Sequence, residues 1–364
     1  MHTVLVLGGY GFFGTRISTS LASAPGLHLL IGGRSFDRAQ ALARDLRLDP
    51  SAGVAIDADD QQLAHRFLAL GVQTLIHTAG PFQGQDYRVA RAAIEAGCHY
   101  IDLADSRAFV CGIGALDAPA RERGVCVISG ASSVPALSSA VVEQLRPQFS
   151  RMDSIRIGIS TGARVPGLAT VRAIFSYCGK PIRRLEQGRW LDTYGWLDMQ
   201  RHRFPSPLGM RLLGSCDVPD LDLLPRRYPS LQTTTFHAGI SGAGHFAIWL
   251  GALVVRAGLL RSLASLAPLL HRAGVWMEPA GSEHSGMYVE LAGLDHAGHP
   301  LLRRWHLVAA RHHGPYVPCG ASVALARKLL SAESLPPGAY PCTSLLTVEE
   351  YLEPLRDLDL RVLA

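Results

Sequence analysis

The sequence lacks the motifs that would place it in several common enzyme classes. Its seven cysteines form no CxxC pair, and their number is odd. This spacing predicts neither a disulfide framework nor a zinc site. HExxH, GxSxG and Walker motifs are also absent, which argues against a metallohydrolase, a serine hydrolase and an ATPase. We therefore expect reduced thiols and no metal ion.

Long hydrophobic runs and strong charge are missing as well. The most apolar stretch, 246–260, is too short to span a bilayer and contains Arg256. The N-terminus has no basic region ahead of its first apolar run, unlike a signal peptide. Charged residues make up 18% of the chain and its net charge is +5, an excess too small and scattered for a nucleic-acid surface. We expect a cytoplasmic protein without integral membrane insertion or a nucleic-acid partner.

The first part of the chain alternates short apolar runs with helical patterns. With 364 residues the chain is long enough for two domains. Alternating strands and helices predict an α/β fold, a Rossmann-type doubly wound parallel sheet at the N-terminus. The predicted strands are 3–7, 27–31, 54–56, 74–77 and 125–128, with a fifth strand region between the last two that ends near 99–105. The predicted helices are 14–21, 37–46, 61–70 and 87–96.

The pattern changes after about residue 150. Short segments there alternate between apolar and polar residues, and a turn-rich link at 295–298 predicts a hairpin. We expect a second α+β domain built on a mixed, largely antiparallel sheet, followed by helices at 321–330 and 348–355. The region 190–229 shows no clean period, which is typical of a long excursion or a lid. The alternating segments are 154–159, 172–177, 232–236, 287–294 and 301–309.

A glycine-rich motif follows the first predicted strand and opens the first predicted helix. In this GxGxxG pattern, Gly9 permits a tight turn, Gly11 lets the backbone approach a pyrophosphate, and Gly14 allows close packing of helix on strand. The free N–H groups at the helix N-terminus favour phosphate. A glycine turn without a nucleotide is the alternative. The predicted loop comprises Gly8, Gly9, Tyr10, Gly11, Phe12, Phe13 and Gly14.

The end of the second strand indicates which nucleotide binds. NAD-binding domains usually place an acidic residue there, on the ribose 2′-hydroxyl. This sequence has Gly33, Arg34 and Ser35 instead. Arg34 can pair with a 2′-phosphate and Ser35 can donate a hydrogen bond to it, with Arg38 as a second cation. NADP(H) is therefore favoured over NAD(H), the alternative being that Arg34 is a solvated surface residue.

Two further segments are expected at the same edge of the sheet. Asp57 follows the third strand and would lie near the adenine, although a simple turn aspartate is an equally good interpretation. A loop of small residues after the fourth strand would line the cofactor, because open α/β sheets bind ligands at the carboxyl ends of their strands. That loop contains Ala79, Gly80, Pro81 and Phe82.

Together these segments resemble the saccharopine dehydrogenase-like oxidoreductases over roughly the first 135 residues. The resemblance rests on 8–14, 33–35, 79–82 and the run 97–103, with weaker likeness at 216–221 and 314–318. It implies an NADP-binding domain over 1–135, a substrate and dimerisation domain over 136–310, and a segment 311–364 that packs back on the first domain. The family includes several chemistries, so it implies no particular substrate.

Candidate catalytic residues cluster after the fifth strand. Tyr100 and Asp102 alternate onto one face of that strand, where Tyr100 could donate a proton and Asp102 could orient a substrate amine or contact the cofactor. The alternative is that Tyr100 belongs to the core and Asp102 caps a turn. Ser132 follows the sixth strand and is expected either at the ring of the cofactor or as a helix cap.

Cys319 lies at a predicted helix start, where a thiolate or a bound anion is favoured. An inert packed cysteine is the alternative.

The apolar stretch 246–270 carries Arg256 and Arg261 and ends next to His271 and Arg272. A helix of this kind can lie in a membrane interface, form an acyl pocket, or be buried in a second core or a dimer interface. We expect a homodimer, with peripheral lipid contact left open.

The sequence thus predicts an NADP(H)-dependent oxidoreductase that transfers a hydride to or from an imine, carbonyl or activated alkene of a small molecule. A lipid-directed enoyl reductase and a non-catalytic NADP-binding sensor or scaffold are the alternatives.

Overall fold

The computed structural model of the chain consists of two units. The first comprises Met1–Leu137 and Tyr316–Pro354, and the second comprises Ser138–Pro315 and Leu355–Ala364. The resemblance implied that the whole C-terminal segment packs on the first domain, but the end of the chain lies in the second unit because it forms a strand there. The structure describes residues 1–162, 165–240, 243–277, 282–331 and 335–364.

The first unit is built on a seven-stranded sheet in which every neighbouring pair is parallel. Its central strands are continuous runs of buried aliphatic residues, as expected of strands covered on both faces. The order is β15-β6-β5-β4-β1-β2-β3, where β1 is His2–Leu7, β2 Leu27–Gly33, β3 Gly53–Ala55, β4 Thr74–His77, β5 His99–Asp102, β6 Cys126–Ser129 and β15 Gly338–Pro341.

The helices between β1 and β6 connect successive parallel strands, and α12 and α13 flank β15. The helix predicted over 14–21 has those bounds, and the next three match their predictions to within two residues at either end. The C-terminal helix α13 begins with a capping box between Thr347 and Glu350. The helices are α1 Gly14–Leu21, α2 Phe36–Asp45, α3 Leu63–Ala69, α4 Arg88–Glu95, α5 Arg107–Gly112, α6 Asp117–Arg123, α12 Gly320–Leu330 and α13 Val348–Leu352.

The second unit contains a mixed nine-stranded sheet. One neighbouring pair, β7 with β12, is parallel and the others are antiparallel. The predicted hairpin is present as β13 and β14. The path runs β10-β11-β12-β7-β13-β14-β16, with β8 and β9 beside it; the strands are β7 Arg151–Thr161, β8 Pro181–Glu186, β9 Arg189–Tyr194, β10 Met199–Arg203, β11 Met210–Ser215, β12 Thr233–Ile240, β13 Ser285–Leu294, β14 Pro300–Ala309 and β16 Leu360–Leu363.

The described part of the second unit contains five α-helices. None of the helices in the described part of the chain is long and apolar enough to cross a membrane. The helices are α7 Ser138–Leu145, α8 Leu168–Tyr177, α9 Asp220–Arg227, α10 Ala243–Arg256 and α11 Ala267–Met277.

Two predictions about the second unit were wrong. The segment 172–177, expected as a strand, is the end of α8. Its buried Val171 and Phe175 are four residues apart, so a helical period explains them as well as alternation does. The region 190–229, expected as an excursion or a lid, contains three strands and α9. The side chains of β9 are largely exposed, and a strand without a buried face gives no alternating signal.

Candidate functional site

The carboxyl edge of the first sheet carries the glycine-rich loop at the point where the strand order reverses. β2 and β3 lie on one side of β1, and β4 lies on the other. The loops after β1 and β4 therefore flank a crevice of the kind in which open α/β sheets bind ligands. A Cβ on Gly8 would lie 2.7 Å from Thr78 Oγ1 and 3.1 Å from the nitrogen of Ala79. The structure thus brings the two predicted loops together.

Close packing requires glycine within this loop. A Cβ on Gly14 would lie 2.1 Å from the carbonyl oxygen of Gly8, and one on Gly9 would lie 2.8 Å from that of Val6. The N–H of Gly11 donates to the same Gly8 oxygen at 2.8 Å, which fixes the turn. No side chain caps the N-terminus of α1. Its first-turn N–H groups are therefore suited to receive a diphosphate.

Tyr10 connects the glycine loop to the end of β2. Its hydroxyl accepts a hydrogen bond from the N–H of Ser35 at 2.8 Å. The Ser35 hydroxyl oxygen in turn accepts from the N–H of Arg38 at 3.3 Å and caps α2, which leaves its hydrogen able to reach a further acceptor. Arg34 is exposed, and the Arg38 guanidinium lies 4.5 Å from the centre of the Tyr10 ring. Two exposed arginines and a hydroxyl therefore lie close in sequence at the end of β2, where a 2′-phosphate is expected.

The loop after β4 is held in place by a residue that sequence reasoning did not select. Gln85 Nε2 donates to the carbonyl oxygens of Ala79 at 3.1 Å and Pro81 at 2.7 Å. The Phe82 ring is buried and packs edge-on to His77 at 5.1 Å between ring centres. The loop can thus present its half-buried members Ala79, Gly80 and Pro81 at the crevice.

Asp57 follows β3 at the same edge and is exposed. Its Oδ1 accepts a hydrogen bond from the N–H of Asp59 at 3.2 Å, the local turn that was the alternative interpretation.

The predicted pair after β5 is buried beneath this edge. Neither Tyr100 nor Asp102 has exposed surface. The Tyr100 hydroxyl lies 3.1 Å from Nδ1 of His77, which is itself buried at the end of β4. Burial lowers the pKa of His77 to about 4, so its ring is neutral at physiological pH. The result is a buried polar network across two neighbouring strands.

Asp102 connects the loops that follow β5 and β6. Its Oδ1 accepts hydrogen bonds from the N–H groups of Ala104 at 2.9 Å and Gly130 at 2.8 Å, and from the Ser129 hydroxyl at 3.0 Å. Burial raises the pKa of Asp102 to about 6, although these donors act in the opposite direction. This arrangement favours the alternative interpretations, in which Tyr100 belongs to the core and Asp102 fixes a turn.

The other two catalytic candidates differ in accessibility. Ser132 is half-buried in the loop after β6, where its N–H donates to the oxygen of Gly130 at 2.8 Å. Cys319 precedes α12, as predicted, but it is buried, and burial raises the pKa of its thiol to about 12. This burial favours the alternative interpretation, an inert packed cysteine, because an apolar environment opposes ionisation. The thiol lies 3.8 Å from the carbonyl oxygen of Phe13 and packs against the glycine loop.

Arg16 is a second residue that the sequence analysis missed. Its guanidinium donates to the carbonyl oxygen of Phe12 and lies 4.3 Å from the centre of that ring and 5.0 Å from that of Tyr316. It places a positive charge beside the phosphate loop. Its position two residues after Gly14, in the first turn of the helix, is the signal that could have found it.

The second unit contains a cluster of paired charges. Arg184 donates to Glu186 at 2.7 Å and to Asp198, and the Ser215 hydroxyl donates to Asp198 at 3.3 Å. His237, buried on β12, lies 3.5 Å from the same Asp198 oxygen. Since Arg184 is held between two carboxylates, we interpret the cluster as a support of the sheet.

No group of three or more His, Cys, Asp or Glu side chains in the described ranges is arranged to hold a metal ion.

Comparison with known proteins identifies the first unit. Residues 4–128 match the family model described as the saccharopine dehydrogenase NADP binding domain. The resemblance stated from the sequence and the NADP-binding character of this domain are thereby confirmed. A comparison with curated proteins gave no match.

Solved structures extend the likeness in fold to the whole chain. Saccharopine dehydrogenase (L-Glu forming) from Saccharomyces cerevisiae superposes with a TM-score of 0.69 at 13% identity, covering 100% of both chains. Homospermidine synthase from Legionella pneumophila, in complex with NAD, gives 0.61 at 9% identity, covering 100% of this chain and 91% of that one. The amine dehydrogenase from Mycobacterium smegmatis gives 0.51 at 13%, covering 96% and 95%. At these identities the likeness establishes the fold alone.

Proposed function

We propose that the protein is an NADP(H)-dependent oxidoreductase, because residues 4–128 match the family model of the saccharopine dehydrogenase NADP binding domain. The reaction is hydride transfer to or from an imine, carbonyl or activated alkene of a small molecule. One observation carries the proposal: a tightly packed glycine loop lies at the reversal of strand order, with Arg34 in place of a carboxylate at the end of β2.

Each part of the edge has a binding role in this proposal. The N–H groups of the glycine loop hold the diphosphate, and Arg16 adds positive charge beside it. Arg34 and the Ser35 hydroxyl bind the 2′-phosphate, with Tyr10 fixing the position of Ser35. A bound nicotinamide supplies or accepts the hydride, so the protein's task is to orient it and exclude water.

Burial limits which of the candidate side chains can donate a proton to the substrate. Tyr100, Asp102 and Cys319 are enclosed in the first unit, which leaves Ser132 as the half-buried member of the four candidates. We propose that Ser132 contacts the reacting groups and that Tyr100 and Asp102 act through the loops they hold.

A titration with both nucleotides tests the cofactor assignment. Calorimetric titration should give a much lower Kd for NADPH than for NADH. Arg34→Ala should weaken NADPH binding by about tenfold or more while leaving NADH binding unchanged, since it removes one charged hydrogen-bonding partner of the phosphate. Arg44→Ala, which removes another exposed arginine from the same region, is the matched control. Equal loss for both nucleotides would contradict the role given to Arg34.

Assays of NADPH turnover distinguish the proposed oxidoreductase from a lipid-directed enoyl reductase and from a non-catalytic sensor or scaffold. NADPH oxidation with keto acids mixed with amines supports the main proposal, whereas oxidation with enoyl thioesters alone supports the lipid-directed reductase. Tight NADPH binding without turnover in either panel would favour the non-catalytic sensor or scaffold.

A further inference from the structure

The helices α10 and α11 of the second unit expose an unusual amount of apolar surface. On α10, Phe246 is 56% exposed and Leu250 is 59% exposed. On α11, Leu269 is 67% exposed and Trp276 is 85% exposed. The link between the helices adds Leu259 and Leu260. We call these six side chains the apolar surface.

The exposed residues follow the helical period. Positions 246, 250 and 253 are spaced by four and three residues, and Leu269 and Trp276 are seven apart. The opposite faces are buried: Ala252 and Val255 on α10, and Ala267 at the start of α11. Each helix therefore has two apolar faces. One packs inside the unit, and the other faces solvent.

The charges of this region have a single sign. From Leu223 to Met277 the sequence contains no aspartate or glutamate. Arg256 at the end of α10, Arg261 in the link and Arg272 on α11 are exposed. A two-fold contact between two copies would bring like-charged patches towards each other, whereas an anionic lipid surface complements them. α10 has 14 residues and is about 21 Å long, shorter than the hydrocarbon core of a bilayer.

We propose that the apolar surface docks on the interface of an anionic lipid bilayer, with α10 and α11 lying in the headgroup region. Phe246 and the Trp276 ring insert at the boundary with the acyl chains, where aromatic side chains are favoured. The three arginines pair with lipid phosphates. Docking involves the second unit alone and does not depend on the proposed redox activity.

Vesicle flotation with the purified full-length protein tests the proposal. The protein should float with vesicles containing phosphatidylglycerol and bind vesicles of pure phosphatidylcholine at least about tenfold more weakly. The double variant Leu269→Ser with Trp276→Ser should lose at least about tenfold in binding to the anionic vesicles. Leu68→Ser is the control, because Leu68 is 57% exposed on the first unit. It should float like the unmodified protein.

A charge-reversal variant tests the role of the arginines in binding anionic lipid. Arg261→Glu with Arg272→Glu should reduce binding to anionic vesicles by about tenfold or more, and should change binding to phosphatidylcholine little. Arg44→Glu is its control.

Light scattering after size-exclusion chromatography tests whether a second copy of the chain, rather than a lipid bilayer, covers the apolar surface. A dimer that dissociates in the Leu269→Ser, Trp276→Ser variant, together with no flotation of the unmodified protein, would assign the surface to a second copy and overturn the proposal. Flotation that neither double variant weakens would overturn it too.

Discussion

The glycine loop offers the sharpest test of how the first unit binds its nucleotide. In Gly14→Ala the new methyl group would start 2.1 Å from the carbonyl oxygen of Gly8 and 2.8 Å from its carbonyl carbon. An unstrained contact needs about 3.5 Å, so the backbone must move by more than about 1 Å. The atoms that obstruct the methyl belong to the main chain, and no side chain can rotate away to make room.

The displacement has two consequences. Moving the Gly8 oxygen breaks its 2.8 Å hydrogen bond from the N–H of Gly11 and misaligns the N–H groups that face the diphosphate. Losing one hydrogen bond to a charged group costs about 1.5–3 kcal/mol, which is at least a tenfold rise in the Kd for NADPH. Overpacking should lower the free energy of unfolding by about 1–3 kcal/mol, partly offset by the better helix propensity of alanine.

Calorimetric titration with NADPH and urea unfolding measure the two effects. Gly114→Ala is the matched control, because a Cβ there meets no heavy atom within 4 Å. It should bind NADPH like the unmodified protein. A Gly14→Ala protein that kept both the original Kd and the original stability would refute the assignment of the loop as the diphosphate site.

Three further predictions concern the side chains of Tyr10, Cys319 and Asp220. Tyr10→Phe removes the acceptor of the Ser35 N–H and should lower stability by about 1 kcal/mol in urea unfolding. Cys319 should react with a thiol reagent in urea but not in the native state, as peptide mapping would show. Asp220→Asn should stabilise the protein by up to about 4 kcal/mol near pH 8: burial raises the folded-state pKa of Asp220 to about 7 from 3.8, so its contribution to stability falls as the pH rises between those values. The two proteins should converge below about pH 4 in urea unfolding, and a constant difference would contradict the shift.

The first unit could be predicted from the sequence because its signals are local. The turn at Gly9 to Gly14 and the absence of a carboxylate at Arg34 lie within a few residues of the strands they follow. The network between His77 and Tyr100 could not be found in this way. It depends on β4 and β5 lying side by side in a register that pairs Leu75 with Tyr100 and His77 with Asp102, which a single sequence does not specify.

The second unit was harder to predict from the sequence because its strands do not share one burial pattern. β13 has a long buried stretch, whereas β9 is mostly exposed and β10 has no buried residue. Both carry arginine, and β9 also carries aspartate, as loops do. The apolar signal of the stretch 246–270 favoured burial in a core or a dimer contact over a membrane interface or an acyl pocket. The exposure of its side chains separates burial in a core from the other possibilities. That exposure is a property of the folded chain and cannot be read from the sequence.

The placement of polar groups in the first unit explains why its binding role is easier to assign than its chemistry. Asp102 uses one oxygen to hold three donors from the loops after β5 and β6, and Gln85 spans the loop after β4. These side chains position backbone, and in the proposed function the backbone of the glycine loop contacts the nucleotide. In that proposal the edge holds the cofactor, and other groups bind the substrate. The choice of substrate therefore depends on residues that can vary without disturbing the cofactor site.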